Sequence, residues 1–257
     1  MYLLKSCSRD KLMIKSTKCR NLEVGDKMYK FISKFLELII VKMARSLHIV
    51  GKENIPKDSK YVVTCTHESY NEVILLGLAL IPNEIHYMAK KELFSNKWGG
   101  KFLRSLNAFP VDRENPGPST LKQPVKLLKD HKTVGIFPTG HRTSVEGAPL
   151  KRGAATIAML GKAPILPAAY VGPTKLHGLV TGQAMIKFGK PIYQSDIPKD
   201  LKRNEKIDFL TKEIERRNMF IIVNIQILFI YLFEREFHSC HPGWSAMVQS
   251  QLTATSA

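Results

Sequence analysis

Cysteine is scarce in this chain of 257 residues, which contains four. Cys7, Cys19, Cys65 and Cys240 include no Cys-x-x-Cys pair, and the sequence has no His/Cys cluster at zinc-ligand spacing. The pattern therefore predicts neither a disulfide framework nor a structural metal site. We expect a protein of a reducing compartment.

The sequence also lacks a long apolar run. A membrane-spanning helix needs about 20 predominantly apolar residues. The run at residues 219–233 has fifteen residues and includes Asn224 and Gln226, so it does not predict a span. Residues 1–27 have no continuous apolar stretch of the signal-peptide kind, and we expect them to form a disordered basic extension.

Acidic residues are few relative to basic ones. The chain has 39 Lys and Arg against 22 Asp and Glu, which gives a formal net charge of +17. Such an excess predicts an anionic partner, and nucleic acid, an anionic membrane surface and a phosphorylated substrate all fit. No nucleic-acid-binding motif accompanies the charge, so we expect no nucleic-acid partner.

Between residues 28 and 48, apolar residues recur at helical spacing and predict an amphipathic helix. Lys30, Lys34 and Arg45 mark its polar side. A helix of this kind either lies in a membrane interface or packs on the protein's own core, and the sequence favours neither. Turn residues at 50–58 separate it from the first predicted strand.

From residue 61 onward, short apolar runs alternate with helical segments. The predicted helices include residues 119–130 and 154–160. The predicted strands are at residues 61–65, 85–89, 107–111, 133–137, 164–171 and 184–189. This alternation predicts an α/β fold, with a mixed, largely parallel sheet that is covered by helices and preceded by the N-terminal amphipathic helix.

A histidine and a carboxylate follow the first of these strands. His67 lies at the strand end, and Glu72 lies five positions later at the mouth of a predicted helix. The pair fits a general base and its orienting acid, so His67 is our candidate catalytic residue. Ser69-x-x-Glu72 is also a capping box, in which Glu72 would only satisfy the first amides of the helix. The sequence leaves both interpretations open.

Arginine and glycine residues follow two further strands. Arg113 comes just beyond the third strand, and Gly140 and Arg142 come just beyond the fourth. Because ligands in open α/β sheets bind outside the carboxyl ends of the strands, we expect these turns to share a crevice with His67. An arginine donates two parallel charge-assisted hydrogen bonds to a phosphate, and glycine lets backbone amides approach it. Each arginine taken alone also fits an ordinary surface residue.

Together these stretches resemble the glycerolipid acyltransferase family, in its Gram-positive bacterial 1-acylglycerol-3-phosphate acyltransferase branch. Two positions depart from the family's usual pattern, because Glu72 stands where aspartate is usual and Thr139 where glutamate is usual. Four blocks occur in the family's order, at His67–Glu72, Phe109–Arg113, Phe137–Ser144 and Ile165–Ala168.

The resemblance implies an acyl transfer. His67 would take the proton from the free sn-2 hydroxyl of 1-acylglycerol-3-phosphate, which is also called lysophosphatidic acid. That oxygen would attack the thioester of acyl-CoA or acyl-carrier protein and give phosphatidic acid. Glu72 would hold the imidazole in its tautomer and stabilise the imidazolium.

The resemblance also implies a phosphate site. Arg113, Arg142 and the Gly140 backbone would bind the phosphate, with assistance from Lys91. No metal or cofactor is implied besides the acyl donor, which is a co-substrate. Together with the net charge, the resemblance predicts a monotopic membrane enzyme on the cytoplasmic face, whose basic residues face anionic lipid headgroups.

The resemblance covers residues 28–218, which we predict to be the acyltransferase domain. Residues 219–257 would then be an apolar run and an irregular tail, dispensable for chemistry, with the run exposed or loosely docked. Residues 233–247 resemble a translated Alu-type repeat, which raises the hypothesis of a chimeric or mis-assembled reading frame.

Two rival functions account for part of the sequence. A thioester or lipid hydrolase would use His67 to activate water, and it would release thiol without a lipid acceptor. A non-enzymatic basic protein that binds membrane or nucleic acid explains the charge but not the residues around His67. Thiol release measured with and without lysophosphatidic acid separates the three functions.

Overall fold

The computed structural model describes residues 29–35, 37–38, 46–58, 60–66, 69–112, 118–138, 152–175 and 177–237. The strands are β1 (Leu47–Val50), β2 (Val62–Cys65), β3 (Ile85–Lys90), β4 (Phe109–Val111), β5 (Thr133–Ile136), β6 (Ile165–Val171) and β7 (Ala184–Phe188). The helices are α1 (29–35), α2 (Asn71–Ala79), α3 (Lys97–Ser105), α4 (Pro118–Lys129), α5 (Gly153–Gly161), α6 (Gly178–Thr181) and α7 (Arg203–Phe237). Short 3₁₀ helices occur at Lys52–Asn54, Lys91–Phe94 and Gln194–Asp196.

The strands form one sheet in the order β1-β7-β6-β2-β5-β3-β4. From β6 to β4 every neighbouring pair is parallel, whereas β7 is antiparallel to β6. β1 at the far edge is parallel to β7. The sheet is therefore mixed and largely parallel, which confirms the predicted fold class.

The central strand β2 shows how the helices cover both faces of the sheet. All four of its residues are buried, and successive side chains point to opposite faces. Val63 and Cys65 pack in a cluster with α2, whereas Val62 packs in a cluster with α4, α5 and the first half of α7. A strand that is buried on both faces needs apolar residues at every position, and this is why the central strands are continuous apolar runs in the sequence.

The sheet order brings the predicted functional blocks to one edge. β2, β5, β3 and β4 are consecutive, parallel neighbours, so their carboxyl ends lie along the same edge of the sheet. The first three blocks follow or include the ends of β2, β4 and β5. The fourth block lies in β6, the other neighbour of β2.

Helix α1 packs against the domain through Tyr29, which is buried. The Tyr29 hydroxyl approaches Gly77 of α2, and the Lys30 amine lies 3.7 Å from the Glu84 carboxylate. Phe31 points outward and is 73% exposed, so the helix combines a packed side with an apolar outer side. The packed side agrees with one of the two environments that the sequence left open, namely packing on the protein's own core.

Strand β1 corrects the predicted extent of that N-terminal helix. The helical spacing was expected to continue to His48, but residues 47–50 pair with β7 as a parallel strand. Ser46 anchors the start of the strand, because its hydroxyl donates a buried 2.7 Å hydrogen bond to the Leu179 carbonyl. At its end, Gly51 has a positive φ of 78°, and a Cβ there would clash with the Phe188 carbonyl oxygen. Tertiary pairing thus overrides the local helical period.

Helix α7 corrects a second expectation. It runs without interruption across residue 218, where the domain was predicted to end. Within the apolar run, Ile221, Ile225 and Phe229 recur at every fourth position and are at most 3% exposed. They pack against residues of β6 and β7, namely Ala169, Val171 and Met185. The expectation that the run is exposed or loosely docked is therefore wrong for its inner face.

The outer face of the same run does meet solvent. Phe220 is 66% exposed and Tyr231 is 80% exposed. Of the helices in the described ranges, none combines the length and the apolar character that crossing a bilayer requires. Residues 238–257, which include most of the segment that resembles a repeat, lie outside the described residues, as do residues 1–28.

Candidate active site

The predicted site residues divide into two groups. Glu72 and Lys91 belong to the described part of the chain. The other four lie outside the described residues: His67, Arg113, Gly140 and Arg142. Their strands are nevertheless defined, because β2, β4 and β5 end at the same edge of the sheet. The geometry of the site can therefore be built from the residues that adjoin those strand ends.

Glu72 is the central described residue of this edge. It lies in the first turn of α2 and is 1% exposed. One carboxylate oxygen accepts a 2.8 Å hydrogen bond from the Ser69 amide, and the other accepts a short hydrogen bond from the Ser69 hydroxyl. A buried charge needs such partners, and the N-terminus of α2 adds a favourable dipole.

The Ser69 contacts also answer the capping-box question in part. The bond from the Ser69 amide to Glu72 is one half of a capping box. The Ser69 hydroxyl accepts a 3.1 Å hydrogen bond from the Asn71 amide, one residue before the amide that a complete capping box uses. The hydrogen bonds from the Ser69 amide and the Ser69 hydroxyl occupy two of the roughly four acceptor positions of the Glu72 carboxylate. Capping and an orienting role toward His67 are therefore compatible.

A hydrogen-bond network that sequence reasoning missed joins this turn to the end of β6. The Asn71 side-chain amide donates to the carbonyls of Pro173 and Lys175, at 2.6 and 3.0 Å. The Tyr170 hydroxyl donates to the same Pro173 carbonyl at 2.7 Å. The Tyr170 amide donates to the Thr66 hydroxyl at 3.4 Å, directly before His67. The network therefore holds both ends of the segment between β2 and α2.

Asn71 is fully buried, which is unusual for an asparagine without a structural or functional task. Its position inside the His67–Glu72 block, before an apolar helix, is a signal that the sequence offered. The partner carbonyls could not have been identified, because they lie about a hundred residues later.

Lys91 directly follows the carboxyl end of β3. Its amine is 2.6 Å from the carboxylate of Asp112, the residue that follows β4 and precedes Arg113. The Lys91 side chain is 52% exposed and that of Asp112 is 28% exposed, so solvent still reaches the pair. Asp112 belongs to the second block but was not singled out, and it offsets part of the positive charge at this edge.

Tyr87 of β3 supports both the first and the third block. Its ring stacks on Phe137, the first residue of the third block, with centroids 6.2 Å apart. Its hydroxyl donates to the Val73 carbonyl at 2.7 Å, one residue beyond Glu72. Burial raises the pKa of Tyr87 well above its usual value, so the hydroxyl stays a neutral donor. This residue therefore braces α2 against the sheet.

The comparisons with known proteins agree with this architecture. Residues 46–171 match the family model described as Acyltransferase. A solved structure of a 1-acyl-sn-glycerophosphate acyltransferase from Thermotoga maritima is similar, with a TM-score of 0.53 and 23% identity. The match covers 74% of this chain and 79% of that one, and it supports the α/β fold.

Two relatives are similar in sequence over much of the chain. The 1-acyl-sn-glycerol-3-phosphate acyltransferase of Bacillus subtilis is 49% identical over 191 residues, which are 74% of this chain and 94% of the relative. The enzyme of the same name from Streptococcus pneumoniae is 34% identical over 195 residues, with 74% and 72% coverage. The chain belongs to the acyltransferase family, as the order of the four blocks predicted.

Proposed function

We propose that this chain is a 1-acyl-sn-glycerol-3-phosphate acyltransferase, which moves a fatty acyl group from a thioester to the free sn-2 hydroxyl of its acceptor and makes phosphatidic acid for phospholipid synthesis. The observation that carries the proposal is the buried Glu72 carboxylate, held just after β2 and five residues beyond His67. The 49% identity with the Bacillus subtilis enzyme, across 94% of that protein, supports the same acceptor.

The chemistry would proceed through His67 as general base. Its neutral imidazole takes the hydroxyl proton while the hydroxyl oxygen forms a bond to the thioester carbonyl carbon. The carbon–sulfur bond then breaks, and the imidazolium returns the proton to the departing thiolate. Glu72, fixed by Ser69, holds the ring and stabilises its positive charge during the transfer.

The phosphate of the acceptor would bind on the side of β3. In the sheet, β3 lies between β5 and β4, so Lys91 at the end of β3 is flanked by the strands that precede Gly140, Arg142 and Arg113. Backbone amides and cationic side chains from three adjacent strand ends suit a phosphate monoester. Asp112 beside Lys91 keeps that lysine extended toward β4.

The acceptor is a lipid, so the enzyme would work at a membrane surface. Helix α1 supports this placement, because the outward residues Phe31 and Phe35 are 73% and 55% exposed, and Lys30 and Lys34 accompany them. An apolar side with basic neighbours suits an anionic interface. We place the protein on the cytoplasmic face as a monotopic enzyme, with acyl-CoA or acyl-carrier protein as donor.

The test is a two-product assay on the purified full-length protein. Lysophosphatidic acid is offered with acyl-CoA or with acyl-carrier protein, free thiol is followed by absorbance, and phosphatidic acid is identified by mass spectrometry. We expect thiol and phosphatidic acid to appear in equal amounts, and only when the acceptor is present. His67→Ala should stop both while circular dichroism stays native.

Two results would contradict the proposal. Thiol release at an unchanged rate without the acceptor would favour a hydrolase, in which His67 activates water. Full activity of a natively folded His67→Ala variant would remove the general base from the mechanism.

A further inference from the structure

Helix α3 turns large apolar side chains toward solvent. Trp98 is 83% exposed and Phe102, one helical turn later, is 52% exposed. Leu93 in the preceding 3₁₀ helix is 48% exposed. Scattered exposed apolar residues are ordinary, but aromatic residues grouped on one short helix mark an interaction surface.

The inner side of α3 fixes this orientation. Gly100 is buried, and a Cβ there would lie 2.9 Å from the Phe94 carbonyl oxygen, so the helix approaches its neighbour closely. Leu103 packs on the core cluster that contains α2. The Asn96 side chain accepts hydrogen bonds from the first amides of the helix, including that of Trp98 at 2.9 Å. The outward aromatic residues therefore lie on a capped helix whose inner side is packed.

Basic residues run beside the aromatic ones. Lys97 and Lys101 are exposed, and each precedes an aromatic residue, Trp98 or Phe102, by one position. Residues four apart lie on the same helix face, so an aromatic row and a basic row lie side by side. Aromatic side chains enter the boundary between headgroups and acyl chains, while lysines pair with lipid phosphates.

The position of α3 connects this surface with the candidate active site. The 3₁₀ helix that joins β3 to α3 begins at Lys91, beside Asp112. Phe94 of this 3₁₀ helix and Leu103 of α3 pack against the same cluster as Leu75 and Leu76 of α2. The surface thus lies on the side of the sheet that carries Glu72.

We propose that Leu93, Trp98 and Phe102, together with Lys97 and Lys101, form a docking surface for an anionic phospholipid bilayer, separate from the one on α1. Docking through α3 would hold the strand-end edge against the layer from which a lipid acceptor enters. The inference rests on the proposed function only in assuming a lipid acceptor. The composition and the exposure of α3 do not depend on that function.

The first experiment uses Trp98 as its own probe. The chain has two tryptophans, Trp98 and Trp244, so Trp244→Phe in the full-length protein leaves a single tryptophan, whose emission is excited selectively at the red edge of the absorption band. We expect vesicles of phosphatidylglycerol and phosphatidylcholine to shift its emission to shorter wavelength, and brominated acyl chains in those vesicles to quench it. Vesicles of phosphatidylcholine alone should do so only weakly.

The second experiment removes the surface. Trp98→Ser with Phe102→Ser should weaken binding to anionic vesicles by about tenfold or more, since two interfacial aromatic anchors are lost. Lys97→Gln with Lys101→Gln should weaken binding and reduce its salt dependence. Tyr231→Ser, which replaces an aromatic residue that is 80% exposed on α7, is the matched control and should leave binding unchanged.

Acyl transfer is measured separately on a short-chain lysophosphatidic acid that is dissolved as monomers. The Trp98→Ser/Phe102→Ser protein should keep its turnover there and lose it on acceptor embedded in vesicles. Binding to vesicles without quenching of Trp98 would overturn the docking surface, as would an emission shift that depends on protein concentration rather than lipid. If the parent protein transfers no acyl group but Trp98 is quenched, the proposed function fails and the docking surface stands.

Discussion

The Asn71 side-chain amide donates a 2.6 Å hydrogen bond to the carbonyl of Pro173, 102 positions later in the chain. The Tyr170 hydroxyl donates to the same oxygen at 2.7 Å. Since Asn71 directly precedes Glu72, the loop after β6 fixes the turn on which the buried carboxylate lies. One carbonyl with two donors therefore links the first sequence block to the end of β6 and the loop that follows it.

Removing the two donors separately and together tests this link. Tyr170→Phe should cost about 1 kcal/mol in the free energy of unfolding, because it leaves the Pro173 carbonyl one donor. Asn71→Ala should cost more, about 2 kcal/mol, because it also removes the donor to the Lys175 carbonyl. The double variant should cost more than the sum, since the buried carbonyl then loses both. Turnover should fall in the same order, whereas exposed Tyr231→Phe should change neither quantity. Additive losses in urea unfolding would show that the carbonyl does not couple the two residues.

Glu72 has a capping role and a proposed catalytic role, and three variants distinguish them. Glu72→Gln should reduce kcat far more than Glu72→Asp, because glutamine loses the charge that stabilises the imidazolium and aspartate loses only reach. Ser69→Ala removes one donor to Glu72 but keeps its charge, so it should lower thermal stability with a modest effect on kcat. If Ser69→Ala and Glu72→Gln lower stability and kcat by the same amounts, Glu72 is only a cap.

The arginines proposed for the phosphate should act on the lipid substrate. Arg113→Ala and Arg142→Ala should each raise the apparent KM for lysophosphatidic acid roughly 10- to 150-fold, which corresponds to about 1.5–3 kcal/mol for a charge-assisted contact. Lys91→Ala should have a smaller effect, because Asp112 already offsets its charge. Lys90→Ala is the matched control, since Lys90 is the adjacent lysine and lies 3.9 Å from Glu92. A change in KM for the acyl donor alone would contradict the phosphate role.

Truncation within α7 should damage the fold. A chain that ends at residue 218 loses Ile221, Ile225 and Phe229, and burial of three such side chains contributes roughly 5–9 kcal/mol, comparable with the stability of a whole domain. We expect that chain to aggregate or to unfold at much lower temperature. A chain that ends at residue 237 keeps the helix and should melt like the full-length protein. Equal melting temperatures for both shortened chains would show that the inner face contributes little.

Glu213 makes α7 sensitive to acid. Arg216 and Arg217 donate hydrogen bonds to its carboxylate and lower its pKa from 4.5 to about 2. A carboxyl whose pKa is lower in the folded state stabilises the fold above its unfolded pKa, and this contribution disappears as pH falls from about 4.5 to about 2. Glu213→Gln should therefore flatten the loss of stability across that range. Glu215→Gln, exposed on the same helix, should leave the acid profile unchanged.

Much of the sheet could be predicted because β2, β5, β6 and β7 are buried along most of their length. Strands that are buried on both faces consist of nearly continuous apolar runs in the sequence. β1 could not be predicted, because Leu47 continues the helical spacing of the preceding apolar residues. Its partner in the sheet, Ala184, lies far along the chain. The burial of the inner face of α7 could not be predicted for a related reason. Outward residues of the run include large apolar side chains such as Phe220 and Ile227, so the spacing of the apolar residues did not distinguish the inner face from the outer one.

The site was predictable to the extent that its chemistry is local. The five-residue spacing of His67 and Glu72 is a property of one short segment, and Glu72 lies in the first turn of α2, where that segment predicts a helix to begin. The ion pair of Lys91 with Asp112 and the bond of Asn71 to Pro173 depend on which strands become neighbours. Neighbour relations of that kind arise only from the assembled sheet.

The pairing of β1 with β7 has a consequence for how the chain folds as the ribosome makes it. Leu47 is synthesised early, but its partner Ala184 emerges only after most of the domain has been translated. At about 5–20 residues per second, the first strand waits on the order of ten seconds with its edge unpaired. During synthesis β3 and β4 are the first neighbouring strands that can pair, β2 gains a partner only when β5 has emerged, and the N-terminal strand joins the sheet near the end.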